Sequence, residues 1–173
     1  MGALNAYNYR MNRYRLSITT LAPDDWQEYK NIRLECLKLE AQAFHSRYED
    51  NLEYPDGYWK DKLCDPNKIY LFARWDHQII GTINAALNET GEDASTAEIH
   101  GFYVNAAYRG MGIGKLLIET LIGKIKETAE ISRIRLWVKE TQLSARHVYE
   151  SMGFVLVERA GEHALVMEKQ LTD

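Results

Sequence analysis

The stretch Tyr-Arg-Gly-Met-Gly-Ile-Gly-Lys, residues 108–115, constrains this chain more than any other. Glycines stand at 110, 112 and 114, between the basic residues Arg109 and Lys115. Upstream, Thr96–Val104 (TAEIHGFYV) reads as a strand. Downstream, Ile113, Leu117, Leu121 and Ile125 fall four apart, and Leu116, Ile118 and Ile122 widen the apolar face. That period predicts a helix from about Gly112 to Glu130. A strand, a glycine turn and a helix start together offer backbone N–H groups to an anion. Glycines let the anion approach the backbone, because no Cβ intervenes. Met111 and Ile113 lend their amides to the same run, and Arg109 and Lys115 add positive charge. A bare turn with no ligand is the other reading of the glycines alone.

Counting removes two phosphate loops. A Walker loop needs G-x-x-x-x-G-K-[ST]. Gly110 and Gly114 are one residue too close for it, and Leu116 follows Lys115 where a hydroxyl should stand. A dinucleotide fingerprint needs G-x-G-x-x-G. Counted from Gly110, the last glycine falls on Lys115, and from Gly112 it falls on Leu117.

The remaining pattern is mixed α/β. Leu16–Thr20, Ile69–Trp75, Ile79–Leu87, Arg133–Lys139, Phe154–Glu158 and Ala164–Glu168 read as strands. Asp76-His77-Gln78 joins two of them as a hairpin, and 88–95 is a polar loop. Ala22-Pro23-Asp24-Asp25 opens a helix expected to reach about Leu39, and Leu143–Met152 forms another, capped by Gly153. A short helix is expected after Pro55. Gly123 inside the long helix costs about 1 kcal/mol against alanine and has no evident sequence reason. Residues 1–12 are polar and aperiodic and read as a loose tail before a single domain at 13–173.

A formal net charge of -4 gives no overall pull toward nucleic acid or anionic membrane. No run approaches the ~18 apolar residues of a membrane span. Cys36 and Cys64 stand far apart and outside any C-x-x-C, so two reduced thiols, and no metal site, are expected. With no apolar signal segment at the start, a cytoplasmic protein is the expectation.

The loop also fits [QR]-x-x-G-x-[GA], as Arg109, Gly112 and Gly114. Further on, Ala145, Tyr149, Glu150, Met152, Gly153 and Phe154 spell A-x-x-x-Y-E-x-M-G-F, and AEIHGFYV precedes the loop. In these signatures the chain resembles the GNAT superfamily of acyl-CoA-dependent N-acyltransferases, and its element order from about 16 to 170 matches. The resemblance implies a GNAT-type fold: a central mixed, mostly antiparallel twisted sheet of about six to seven strands flanked by about four helices. It implies transfer of an acetyl group from acetyl-CoA, as cosubstrate and without metal, to a primary amine. Polyamine, amino acid, aminoglycoside and protein amines all fit. CoA pyrophosphate would sit on 109–115, and main-chain groups of Phe102, Tyr103 and Val104 would pair with the pantetheine arm. A backbone N–H at Phe102 would serve the oxyanion. A homodimer is common among the proteins it resembles, so the resemblance admits one here.

Within that resemblance Tyr149 is the candidate general acid. A phenol with pKa about 10 is protonated at neutral pH and can donate to a leaving thiolate. Its helical stripe with Ala145, Val148 and Met152 also suits packing. Glu98 matches the strand-four glutamate of histone-type acetyltransferases, and His100, two residues on, shares its strand face and titrates near neutrality. Either can take the amine's proton, and so can a water relay. Trp137 stands where bacterial ribosomal-protein N-terminal acetyltransferases of the superfamily carry a glutamate base, which argues against their mechanism. Gln142 replaces the asparagine often found seven residues before the tyrosine, and so is a longer candidate CoA contact.

The acceptor region implied is about 33–60, where Phe44, Tyr48, Tyr54, Tyr58 and Trp59 stand among Glu49, Asp50, Glu53 and Asp56. Aromatic faces with carboxylates suit a cationic amine. Packing of the segment on the core is the competing account. A non-catalytic acyl-CoA-binding regulatory module is the alternative function, against which Tyr149 and Glu98 weigh.

Overall fold

Alternating apolar residues along seven segments build one sheet in the order β1-β2-β3-β4-β5-β7-β6. The computed structural model describes residues 15–44, 46–87, 94–128 and 130–171. The expected tail at 1–12 and most of the loop at 88–95 lie outside these. The strands are β1 (Leu16–Thr19), β2 (Lys68–Trp75), β3 (Gln78–Leu87), β4 (Thr96–Val104), β5 (Arg133–Lys139), β6 (Val155–Ala160) and β7 (Ala164–Gln170). All neighbours are antiparallel except β4 and β5. The helices are α1 (Trp26–Leu39), α2 (Tyr48–Leu52), α3 (Asp56–Cys64), α4 (Ile113–Lys126) and α5 (Leu143–Ser151). This is the mixed, mostly antiparallel sheet expected, with seven strands.

Two cores lie on opposite faces of the sheet. On one, the stripe of α4 (Ile113, Leu117, Ile118, Leu121, Ile122, Ile125) packs on Ile80, Ile83, Ala97, Ile99, Ile134, Leu136 and Met167. On the other, Tyr29, Ile32, Cys36 and Leu37 of α1 pack with Trp59, Tyr70, Phe72, Ile79 and Tyr103. Each face of the sheet is thus covered by a helix stripe with matching period, which is the physical reason the alternation holds.

Most boundaries shift by one or two residues, and four differences bear on the fold. Pro23–Asp25 forms a 3-10 turn, so α1 begins at Trp26. The helix α2 went unread, because five residues carry too little periodicity; its buried Asn51 donates to the Arg47 carbonyl at 2.8 Å. The helix α4 ends at Lys126, four residues before Glu130, where Thr128 N–H donates to Ile125 O and Ile131 N–H to Thr128 O. Those turns bring Ile131 into the core beside α4. Phe154 is a buried residue ahead of β6. Gly123 faces open space, and nothing in the structure explains it.

Both cysteines are free, Cys36 buried and Cys64 exposed. Burial pushes the Cys36 thiol up to about 11, and it donates to the Arg33 carbonyl at 3.1 Å. A raised folded pKa means this thiol's contribution to stability is complete below its ordinary pKa of 9.0 and declines as pH rises toward about 11. We expect a thiol reagent at pH 7 to label only Cys64 in the native protein, and Cys36 as well after unfolding, read by mass spectrometry. Equal native labelling of both would contradict this burial.

Candidate active site

The loop is built by the end of β4. Asn105 caps the 3-10 turn Ala106–Tyr108, its side-chain oxygen accepting from Ala107 N–H at 3.0 Å. Gly112, at φ +80, is the N-cap of α4, and Gly110 sits at φ +78. Leu116 N–H is the first in the helix to find an acceptor, on Gly112 O at 3.0 Å. The amides of residues 110–115 (Gly110, Met111, Gly112, Ile113, Gly114, Lys115) meet no acceptor among the described residues. A run of six such donors at a helix start can cradle an anion. A Cβ at 110 or 112 would meet nothing within 4 Å, so the space over the cradle is open.

Gly114 serves differently. A Cβ there would lie 2.9 Å from Phe102 Cζ, so its absence lets α4 approach β4. We expect Gly114→Ala to destabilise the fold by about 1–3 kcal/mol, as overpacking does, seen as a lower Tm. An unchanged Tm would mean the Phe102 ring moves aside freely.

The strand before the loop is interrupted by a bulge. Asn84 pairs with His100 and Thr82 with Tyr103, so Ile83 faces two residues, Gly101 and Phe102, neither with a register partner on β3. Gly101 takes φ +61, and a Cβ there would lie 2.5 Å from Asn84 Nδ2. A left-handed glycine in a strand is the usual seat of such a bulge. On the other side, β4 pairs with β5 only from Thr96↔Arg133 to Ile99↔Leu136. Beyond Ile99, β4 follows β3 and β5 follows β7, so the two strands part. Backbone groups from His100 to Val104 thus line one wall of the parting, and those of Gly101 and Phe102 belong to neither ladder.

The bulge also resets which face each side chain takes. Ala97 and Ile99 are followed on the α4 face by Phe102 and Val104, and Tyr103 falls on the α1 face. Phe102 therefore leaves the face of Glu98 and His100 and stacks on Tyr149, with ring centroids 5.5 Å apart. Tyr149 also meets Phe154 at 5.8 Å. It is 5% exposed, and burial alone pushes its phenol well above the ordinary value. The phenol is thus buried and held neutral beside Phe102.

Across the sheet, His100 Nε2 lies 3.6 Å from Glu98 Oε2, with the carboxylate side chain 9% exposed and the imidazole 42%. Arg135, the register partner of Glu98 on β5, donates through Nε to Glu168 at 2.7 Å. Arg133 lies 3.8 Å from the same carboxylate and donates to Thr96 Oγ1 at 3.1 Å. This half of the face is charged and polar, where the α1 half is aromatic. Trp137, two residues beyond Arg135, is 40% exposed on β5 past the parting.

Three expected contacts are arranged otherwise. The Arg109 guanidinium turns back to donate to Val104 O through Nε at 2.9 Å and to Glu40 at 2.5 Å. The Lys115 ammonium is exposed, 3.8 Å from Glu119. The Gln142 carbonyl oxygen accepts from Lys139 N–H at 3.1 Å, closing the turn into α5. The aromatic segment packs: Trp59 is fully buried, and Phe44 and Tyr58 are covered by this chain's own cations, Arg33 at 5.1 Å and Lys62 at 4.8 Å. Reasoning from sequence missed the bulge at Gly101, for which a glycine inside a strand is the available signal. It also missed Glu35 and Glu40, for which there is none.

A family profile described as "Acetyltransferase (GNAT) family" matches residues 26–154, which take in the parting, the loop and Tyr149. N-alpha-acetyltransferase 60 of Xenopus tropicalis is 30% identical over 120 residues, covering 60% of this chain and 50% of that protein. The N-alpha-acetyltransferase RimI of Mycobacterium tuberculosis is 29% identical over 120 residues, 69% of this chain and 70% of that one. This chain thus spans about half the length of the frog relative. The PaiA N-acetyltransferase of Thermoplasma acidophilum, solved in complex with coenzyme A, superposes with a TM-score of 0.71 over 90% of this chain and 99% of that one, at 21% identity. With the profile spanning helix α1 through Phe154, the chain belongs to the acetyltransferase (GNAT) family.

Proposed function

We propose that this chain transfers an acetyl group from acetyl-CoA to a primary amine. The observation that carries the reading is the run of free amides at 110–115, at the end of the strand that parts from β5. The residues fit CoA on that ground: six N–H donors and open space suit the pyrophosphate. The one-sided backbone of 100–104 suits the amides of a pantetheine arm. Bound there, acetyl-CoA supplies a thioester carbonyl as electrophile.

The chain's own groups divide the remaining work. An N–H at Phe102, outside both ladders, would bond the carbonyl oxygen as it gains charge. The C–N bond forms as C–S breaks. The amine proton leaves toward Glu98, directly or through His100, on the α1 face. Tyr149 gives its proton to the departing sulfur from the α4 face. Acid and base thus stand on opposite sides of the sheet and do not neutralise each other.

For the acceptor, we favour the α-amine of a peptide. Two relatives are named N-alpha-acetyltransferases. The aromatic faces that would suit a strongly cationic amine already carry Arg33 and Lys62. An α-amine has pKa about 7.7–8.0, so a sizeable fraction is neutral at pH 7 and needs only a weak base.

The test mixes purified protein with acetyl-CoA and four acceptors: free peptides, the same peptides N-blocked but carrying lysine, polyamines and aminoglycosides. Release of CoA with free peptides alone is the expected result. Release with polyamines or blocked peptides only would overturn the peptide assignment. CoA binding without turnover on any of them would favour a non-catalytic acyl-CoA-binding module.

A further inference from the structure

The loop that offers six free amides is fastened from the far side of the sheet. Glu35 of α1 accepts two bonds on one oxygen, from Tyr103 Oη at 2.9 Å and from Asn105 Nδ2 at 2.7 Å. Those donors flank Val104, whose carbonyl takes the Arg109 Nε–H at 2.9 Å. Arg109 in turn reaches Glu40, the C-cap of α1, at 2.5 Å. Asn105 N–H is fixed to Ile80 O at 2.8 Å. The side-chain bonds of Tyr103 and Asn105 and the Arg109 ion pair run to α1, and the amides that meet no acceptor among the described residues begin at 110.

We infer that Glu35 and Glu40 are positioning residues for the donor loop, and that Arg109 is a strut between the loop and α1 rather than a phosphate ligand. This rests on the reading of 110–115 as a CoA cradle. The geometry favours a strut because the guanidinium is engaged at both ends. Its Nε is spent on the chain's own Val104, and its charge is matched by Glu40, so the cradle's attraction for an anion comes from backbone dipoles. Helix α1 and the donor loop then move as one unit, although they lie on different layers of the fold.

The sign of one substitution separates the two roles. If Arg109 is a strut, Glu40→Gln loosens the loop and weakens CoA binding. If Arg109 is a phosphate ligand held back by Glu40, Glu40→Gln releases it and CoA binds more tightly. The experiment is calorimetric titration of CoA into the full chain, for the natural protein, Glu40→Gln, Arg109→Gln, the double variant and Tyr103→Phe, with Tm read for each. Acetyl-CoA KM and kcat are measured in parallel.

We expect Glu40→Gln to raise Kd and KM about two- to five-fold, the range open to an ion pair half in water, with kcat changed less. Arg109→Gln should add little on top of Glu40→Gln, since both remove one strut. The salt dependence of Kd should be the same with and without Arg109, because no phosphate charge is lost. Tyr103→Phe, which removes one bond to Glu35 and keeps the ring, should shift KM the same way without lowering Tm by more than a few degrees. Tighter binding in Glu40→Gln, an unchanged Kd in both Glu40→Gln and Tyr103→Phe, or a flatter salt dependence in Arg109→Gln would overturn the inference alone. A natural protein that does not bind CoA would overturn the cradle reading and this inference with it.

Discussion

Gly112→Asp is expected to abolish CoA binding and leave the fold standing. The added Cβ meets nothing within 4 Å, so no packing is lost. The left-handed backbone at φ +80 costs a non-glycine residue about 1–2 kcal/mol, and aspartate tolerates it better than most. The larger effect is electrostatic. The carboxylate stands at the start of α4, where the free amides of 110–115 would otherwise meet an incoming anion. It competes for those donors and repels the pyrophosphate, at about 1–4 kcal/mol for each pair of like charges near 4 Å. A loss of about 100-fold or more in CoA affinity follows, with Tm close to that of the natural protein. Gly112→Ala is the control, because it carries the backbone cost without the charge and should keep most of the affinity. An aspartate variant that binds CoA within a few-fold of normal would sink the cradle.

The sequence discloses most where function requires a backbone to be bare. Gly110 and Gly112 are readable because only their conformation explains them, and counting their spacing discards the other phosphate loops. Tyr149 is readable from its register with Gly153 and Phe154, although its stripe alone fits packing equally well. Side-chain faces past Gly101 are not legible in the sequence. Strict alternation puts Phe102 with Glu98 and His100, but one bulged residue carries it to the other face, against Tyr149. Alternation has no memory of a bulge, and the glycine is its one local trace. Arg109 shows a different limit. Its charge beside the glycines reads as phosphate binding, yet its partner Glu40 is 69 residues away in sequence, and only folding brings them together. In the aromatic segment, too, the cations that cover Phe44 and Tyr58 are the chain's own and are brought there by folding.

Tyr149→Phe should lower kcat by about 100-fold or more and leave the KM for acetyl-CoA nearly unchanged, the signature of a general acid. The substitution removes one oxygen and keeps the ring, so the contacts with Phe102 and Phe154 persist and Tm should hold. The acid must also be able to give up its proton, and burial pushes this phenol well above its ordinary value. In water such a phenol would be a poor partner for a thiolate of ordinary basicity, near 8.5. In the proposed complex the departing sulfur would form beside Phe102, in apolar surroundings where burial penalises any anion; elsewhere in this protein burial is the largest cause that lifts the Cys36 thiol to about 11. Donor and acceptor would therefore be raised together, and the transfer moves one buried negative charge from sulfur to the Tyr149 oxygen, which takes a proton back before the next turnover. The raised phenol has a second consequence, with a definite sign. Tyr149 stays protonated up to its ordinary pKa of 10.0 and beyond, so it contributes no alkaline fall in kcat between pH 7 and 10. A variant with normal kcat would assign Tyr149 to packing alone and leave protonation of the sulfur to solvent.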